Sequence, residues 1–123
     1  MQFRIGDTIV FKAVHYTEVR MERVDEEGFE DVSVRWLISE RDGAKNFAMR
    51  CFEIKPGGKT ALHRHDWEHE VFILNGKGTV ICDDVEKEIS AGYVIFIPPN
   101  APHCFKNTSN EILRFLCLIP YKR

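Results

Sequence analysis

The sequence predicts an all-β domain, closed as a barrel or packed as a sandwich, on three observations. Short runs rich in β-branched and aromatic residues follow one another through residues 32–119. They are broken about every eight to twelve residues by the turn-forming clusters NGKG, DD, SAG, PPN and NTSN. No stretch carries the apolar periodicity of an amphipathic helix. With 123 residues, the chain makes one domain that can bury a core without metal or disulfide staples.

Taken in order, residues 3–5 and 8–14 flank Gly6 and Asp7 and read as a short hairpin or arm. Residues 18–31 are rich in charge and carry Gly28, which predicts a loop with at most a short strand. Within them VDEEGFED is either a solvated turn or an acidic rim to a pocket. Residues 32–39 alternate as a strand and lead to a turn at Arg41, Asp42 and Gly43; residues 47–54 form the next strand before a turn at Pro56, Gly57 and Gly58. Further strands are expected over 71–74, 78–82, 86–89, 93–97, 101–106 and 112–119. Residues 1–44 are thus N-terminal strands or an arm of the same domain, and 45–120 its barrel core.

Net charge is −2 with acids and bases interspersed, so there is no electrostatic footprint for nucleic acid or an anionic membrane. Neither partner is expected. The start of the chain lacks the pattern of a secretory signal, and no apolar run approaches the ~18 residues of a membrane span, which predicts a cytoplasmic protein. Cys51, Cys82, Cys104 and Cys117 lie far apart in apolar runs and are expected to be buried free thiols. Runs such as VFIL, YVIFI and RFLCLIP are apolar on both faces. A small barrel covers only its inner face, which predicts a homodimer over the outer one.

Three of the five histidines, His63, His65 and His69, fall within seven residues, and His103 lies in IPPNAPHCFKN. Imidazole is the commonest metal ligand because one ring nitrogen gives its lone pair while the other fixes tautomer and orientation. Residues i and i+2 of a strand share a face, so His63 and His65 can reach one ion. His69 and Glu70 are adjacent, and only one of them can look the same way.

This pattern resembles the cupin superfamily, whose first motif reads G, five residues, H, one, H, three or four, E, six, G. Gly57, His63, His65 and Gly76 fit it, and the spacing to Gly76 puts His69 in the place usually held by glutamate, with Glu70 facing away. The second motif is matched by Gly92, Pro98, His103 and Asn107, with Asn100 where a glycine is usual; Asn is the best substitute for a left-handed residue. The resemblance covers roughly residues 45–120, and the likeness is to small single-domain cupins with a four-histidine site. It implies a jelly-roll barrel (a double-stranded β-helix), a metal held by His63, His65, His69 and His103, and a Phe115 and Cys117 face lining the cavity or packing the core. It also implies Mn²⁺ or Fe²⁺, although ligand softness alone allows Zn²⁺, Ni²⁺, Cu²⁺ or Co²⁺. In such proteins an N-terminal arm often crosses to a second subunit.

Four histidines on a six-coordinate ion leave two positions for a small-molecule ligand or substrate, and as neutral donors they leave its charge uncompensated. The expected function is that of a metal-dependent oxidoreductase of dioxygenase type acting on a small oxygen-chelating molecule. The alternatives are a metal-dependent isomerase or lyase, against which the lack of an evident base on the ligand face counts, and a non-catalytic binding module. Trp67 either caps the pocket or packs beside it. Arg64, Glu70, Cys104 and His15 are expected to point elsewhere.

Overall fold

The computed structural model describes the backbone of residues 2–5 and 8–121, and side chains from residue 11 onward. Strands β1 (Gln2–Ile5) and β2 (Thr8–Lys12) pair antiparallel as a separate hairpin; the expected Gly6 and Asp7 turn lies outside the described residues. A 3₁₀ turn at Tyr16–Glu18, capped by His15, leads to β3 (Met21–Arg23) and β4 (Glu30–Ile38). The Arg41 to Gly43 turn takes 3₁₀ form at Glu40–Asp42 and ends in left-handed Gly43. Then follow β5 (Phe47–Lys59), β6 (His69–Asn75), β7 (Lys77–Cys82), β8 (Val85–Ser90), β9 (Val94–Ile97), β10 (His103–Lys106) and β11 (Leu113–Pro120).

Apart from the β1–β2 hairpin, these strands form one curled sheet in the order β8-β7-β10-β5-β11-β6-β9, with β4 added to β5 and β3 to β4. Successive strands alternate between its halves: β6 lies beside β11 and β9, whereas β7 lies beside β10 and β8. That alternation is the jelly-roll topology expected from the sequence.

The long strand β5 joins the two halves and corrects one expectation. Residues 54 and 59 of β5 face residues 32 and 30 of β4, so six positions on one strand meet three on the other. The Pro56, Gly57, Gly58 sequence is therefore a bulge inside a continuous strand rather than a turn between strands, with Gly57 at φ 83°. A side chain at Gly58 would press into the Glu30 carbonyl and Ile54, so the close crossing needs glycine there.

Period-two burial is plain in β6, where His69, Val71 and Ile73 are buried while Glu70, Phe72 and Leu74 are exposed. Val71 and Ile73 of that inward set pack with Val32, Ile54, Ile97, Phe105, Leu113 and Phe115 as one core. All four cysteines are free thiols; Cys51, Cys104 and Cys117 are buried and Cys82 half-buried. Asn107 is 1% exposed, and its side chain ties three segments together: Nδ2 donates to the Ile54 and Glu111 carbonyls (2.8 and 2.6 Å), and Oδ1 accepts from the Ser109 amide and hydroxyl (3.0 and 2.8 Å). No helix among the described residues is long and apolar enough to cross a membrane.

Candidate metal centre

The histidines are brought together by backbone pairing more than by strand position. After β5 the chain runs beside β10 in extended form: the Thr60 amide donates to the Phe105 carbonyl (2.9 Å), and the Phe105 amide to Thr60 Oγ1 (2.8 Å). His63 and His103 form an isolated antiparallel bridge, each amide donating to the other's carbonyl at 3.2 and 2.9 Å. Directly opposed residues present side chains on the same face, and the two rings meet edge-on at 5.1 Å. The sequence reading put His63 and His65 on a strand; apart from that bridge, residues 60–68 belong to no strand and bend at 66–67.

His65 keeps the same side two residues on because its carbonyl accepts the Asn100 amide (2.6 Å). Asn100 stands at φ 67°, the left-handed conformation for which asparagine substitutes for glycine. His69 opens β6 opposite Ile97 of β9. Ring centroids are 4.5 Å apart for His63 and His65, 5.2 Å for His65 and His69, and 4.8 Å for His69 and His103. His63, His65 and His103 offer ligating atoms within 4.8 Å of one another. His69 stands beside that trio; its Nδ1 lies 3.4 Å from Cys117 Sγ, and its Nε2 is buried without a hydrogen-bond partner.

This chemistry fits a divalent cation. The His103 Nδ1 faces the Ala101 carbonyl at 2.9 Å; donating there leaves the Nε2 lone pair free to ligate. The orphaned Nε2 of His69 is an acceptor or donor that burial would otherwise leave unsatisfied. Burial also favours the neutral form of all four rings. It lowers the His63 imidazole to about 4 and His69 to about 3, helped by the other histidines and by Arg50, and lowers His65 and His103 by the same cause.

The rings open into a cavity of about 400 Å³. Phe115 and Cys117 of β11 line it, as do Phe52, Phe105 and Arg50. Glu70 and Arg64 are exposed, and Cys104 is buried away from the cavity. Trp67 lies flat on His65, centroids 4.3 Å apart and planes 5° from parallel, so it packs against that ring.

A family model, the cupin domain, matches residues 50–119. This chain is a cupin. The polyketide cyclase RemF from Streptomyces resistomycificus superposes with a TM-score of 0.87 at 38% identity, over 93% of this chain and 82% of that one. An oxalate-binding protein from Thermotoga maritima is 31% identical over 86% of this chain and 91% of its own. A 1-methylthio-D-xylulose 5-phosphate methylsulfurylase from Rhodospirillum rubrum is 33% identical over 61% of this chain and 48% of its own length. The chain spans about half the length of several curated relatives that it matches.

The cavity of this cupin also contains Glu22 and Arg50, which the sequence did not single out, and part of the acidic segment for which it left a rim open. Glu22 of β3 and Glu26 of the loop after it line the wall, as does Asp25, so part of VDEEGFED is an acidic rim. Carboxylates therefore line the cavity of the histidines, although the sequence offered no evident base on the ligand face. The Glu26 charge is felt at His63, where it opposes the effect of burial. Arg50 of β5 enters between Trp36 and Phe52, its guanidinium carbon 5.4 and 4.8 Å from their ring centroids. Only the alternation of β5 could have hinted at Arg50, which shares the face of Phe52 and Ile54 there.

The histidine shifts set a pH dependence for the metal-free protein. Their folded pKa values lie below the unfolded value near 6.5, so the unfolded chain takes up protons first. That stability is complete above about 6.5 and is lost as pH falls through about 4 for His63 and about 3 for His69. Urea midpoints of the metal-free protein should therefore drop between pH 7 and 4, with a shallower slope for His69→Gln. Equal slopes in the two proteins would show that burial of His69 contributes nothing.

Proposed function

We propose that this cupin is a metal-dependent enzyme that chelates a small oxygen-bearing substrate at His63, His65, His69 and His103 and moves a proton on it. The observation that carries the reading is that Glu22 and Glu26 line the same cavity as the four imidazoles. A bound divalent ion, Mn²⁺ or Fe²⁺ on the resemblance, would supply a Lewis acid and, being redox-active, a centre whose potential the all-imidazole donors raise. The carboxylates of Glu22 and Glu26 accept a proton from an acidic carbon or hydroxyl of the substrate and return it. Phe52, Phe105 and Phe115 keep water away and hold the substrate against the imidazoles. The names of a polyketide cyclase and an oxalate-binding protein among its relatives associate carbonyl and carboxylate compounds with this architecture.

A second reading, oxidation of dioxygenase type, draws on the neutral four-nitrogen donor set and makes the carboxylates bystanders. Turnover and oxygen uptake on a panel of keto acids, diols and enolisable carbonyl compounds separate the two, with the protein loaded in turn with manganese, iron and zinc. Turnover with zinc as well as the others, without oxygen loss, supports proton transfer. Oxygen consumption confined to manganese or iron favours the dioxygenase, and binding without turnover leaves a non-catalytic module.

We further propose that the cupin works as a cytoplasmic homodimer. The outer face of β6 and the edge strand β9 exposes Phe72 (44%), Val94 (74%) and Phe96 (58%) side by side, an apolar surface that a second copy would cover. Light scattering at micromolar concentration should give twice the chain mass, falling to the monomer in Phe96→Glu; a monomeric wild type refutes the dimer.

A further inference from the structure

We propose that Arg50 is the anchor for the anionic group of a flat, conjugated substrate, holding it beside the four histidines. The inference rests on the reading of this cavity as the substrate chamber, and it deepens that reading by naming a substrate class. In register, Arg50 of β5 lies opposite Trp36 of β4 and Cys117 of β11, both of which line the chamber. Its Nη2 donates to Cys117 Sγ at 3.1 Å, while its Nε is buried without a partner.

The missing feature is a counter-charge. Lys12 pairs with Asp42, Arg23 with Asp25 and Arg114 with Glu53, whereas among the described residues no carboxylate pairs with Arg50. A half-buried guanidinium has five donors in a rigid fork, and a thiol satisfies one of them poorly. A carboxylate or enolate from outside completes it, with charge-assisted bonds about twice as strong as neutral ones. Trp36 and Phe52 hold the plane of the fork in place, so little freedom is lost when it is used. At the rim, Glu22, Asp25 and Glu26 repel the same anion, and the two poles together point its charged end toward Arg50.

The shape of the partner follows from the wall. Phe105, Phe115 and Phe52 stand in a row, with centroids 4.7 and 5.5 Å apart and planes only 25° and 23° from parallel. A planar conjugated ligand meets such a row better than a puckered saturated one of the same charge.

The test uses benzoate, benzamide and cyclohexanecarboxylate as probes, titrated into metal-loaded and metal-free protein. The readout is the fluorescence of the two tryptophans, of which Trp36 lies against Arg50. Wild type should bind benzoate about tenfold or more tightly than either comparator. Arg50→Met should lose the preference of benzoate over benzamide with metal content unchanged by elemental analysis. Should Arg50→Met fail a melting check, Arg50→Lys decides: it keeps the charge without the fork and should weaken benzoate at least about threefold while leaving benzamide unchanged. A preference that survives Arg50→Met, equal benzoate binding by Arg50→Lys, or no preference in wild type overturns the anchor. An Arg50-dependent preference in protein that never takes up metal would keep the anchor and sink the metal reading; full metal occupancy without charge preference would do the reverse.

Discussion

His103→Ala should retain less than about a tenth of the divalent metal that wild type keeps after dialysis, starting from about one ion per chain. Of the four imidazoles, His103 is the most firmly held: it is 5% exposed, its Nδ1 is fixed by the Ala101 carbonyl, and its backbone is tied twice to His63. Loss of one preorganised donor costs metal affinity more than the ten- to a hundredfold typical of outer hydrogen-bond partners. His69→Ala should come next, because its buried Nε2 has no other use in the protein, whereas Glu70→Ala on the exposed side of β6 should leave occupancy unchanged. Elemental analysis of the three variants, with circular dichroism to verify the fold, measures this. Full occupancy in His103→Ala would remove it from the ligand set, and equal losses at 69 and 70 would mean that neither side chain holds the ion.

Asn107→Ala should lower stability by about 3 kcal/mol, or roughly 10 °C in melting temperature for a domain of this size. The substitution removes four hydrogen bonds at once and leaves the buried Ile54 carbonyl without its side-chain donor. Alanine cannot replace any of them, and the site is too enclosed for easy access by bulk water. The exposed neighbour Asn110→Ala provides the control and should change stability by less than about 0.5 kcal/mol. Because the Asn107 side chain bonds only to Ile54, Ser109 and Glu111 and does not line the cavity of the histidines, metal affinity per folded molecule should hold in both variants. Urea unfolding of the two, with and without metal, checks the prediction; a difference between them below about 1 kcal/mol would show that the clip carries little of the fold's stability.

What the sequence by itself determined is local in origin. Strand-length runs, period-two burial in β6 and β11, the spacing of the histidines and the left-handed residue at Asn100 each depend on a few neighbouring positions and on backbone sterics. The bulge in β5 was misread for the same reason: Pro56, Gly57 and Gly58 carry turn chemistry locally, and only pairing of Lys59 with both β4 and β10 keeps the strand going. Which charged groups enter the chamber was decided by tertiary structure: the sequence left VDEEGFED open between solvated turn and acidic rim, and pointed to neither Glu22 nor Arg50. Glu22, Glu26 and Arg50 come from separate elements, and a sheet brings distant residues to one face according to register, with shifts at both ends of β4 that no local pattern announces. The histidines could be found in sequence because a metal demands one residue type at short spacing, whereas an anion anchor and a proton acceptor need only one residue each, and their meaning appears when strands far apart in the chain are hydrogen-bonded side by side.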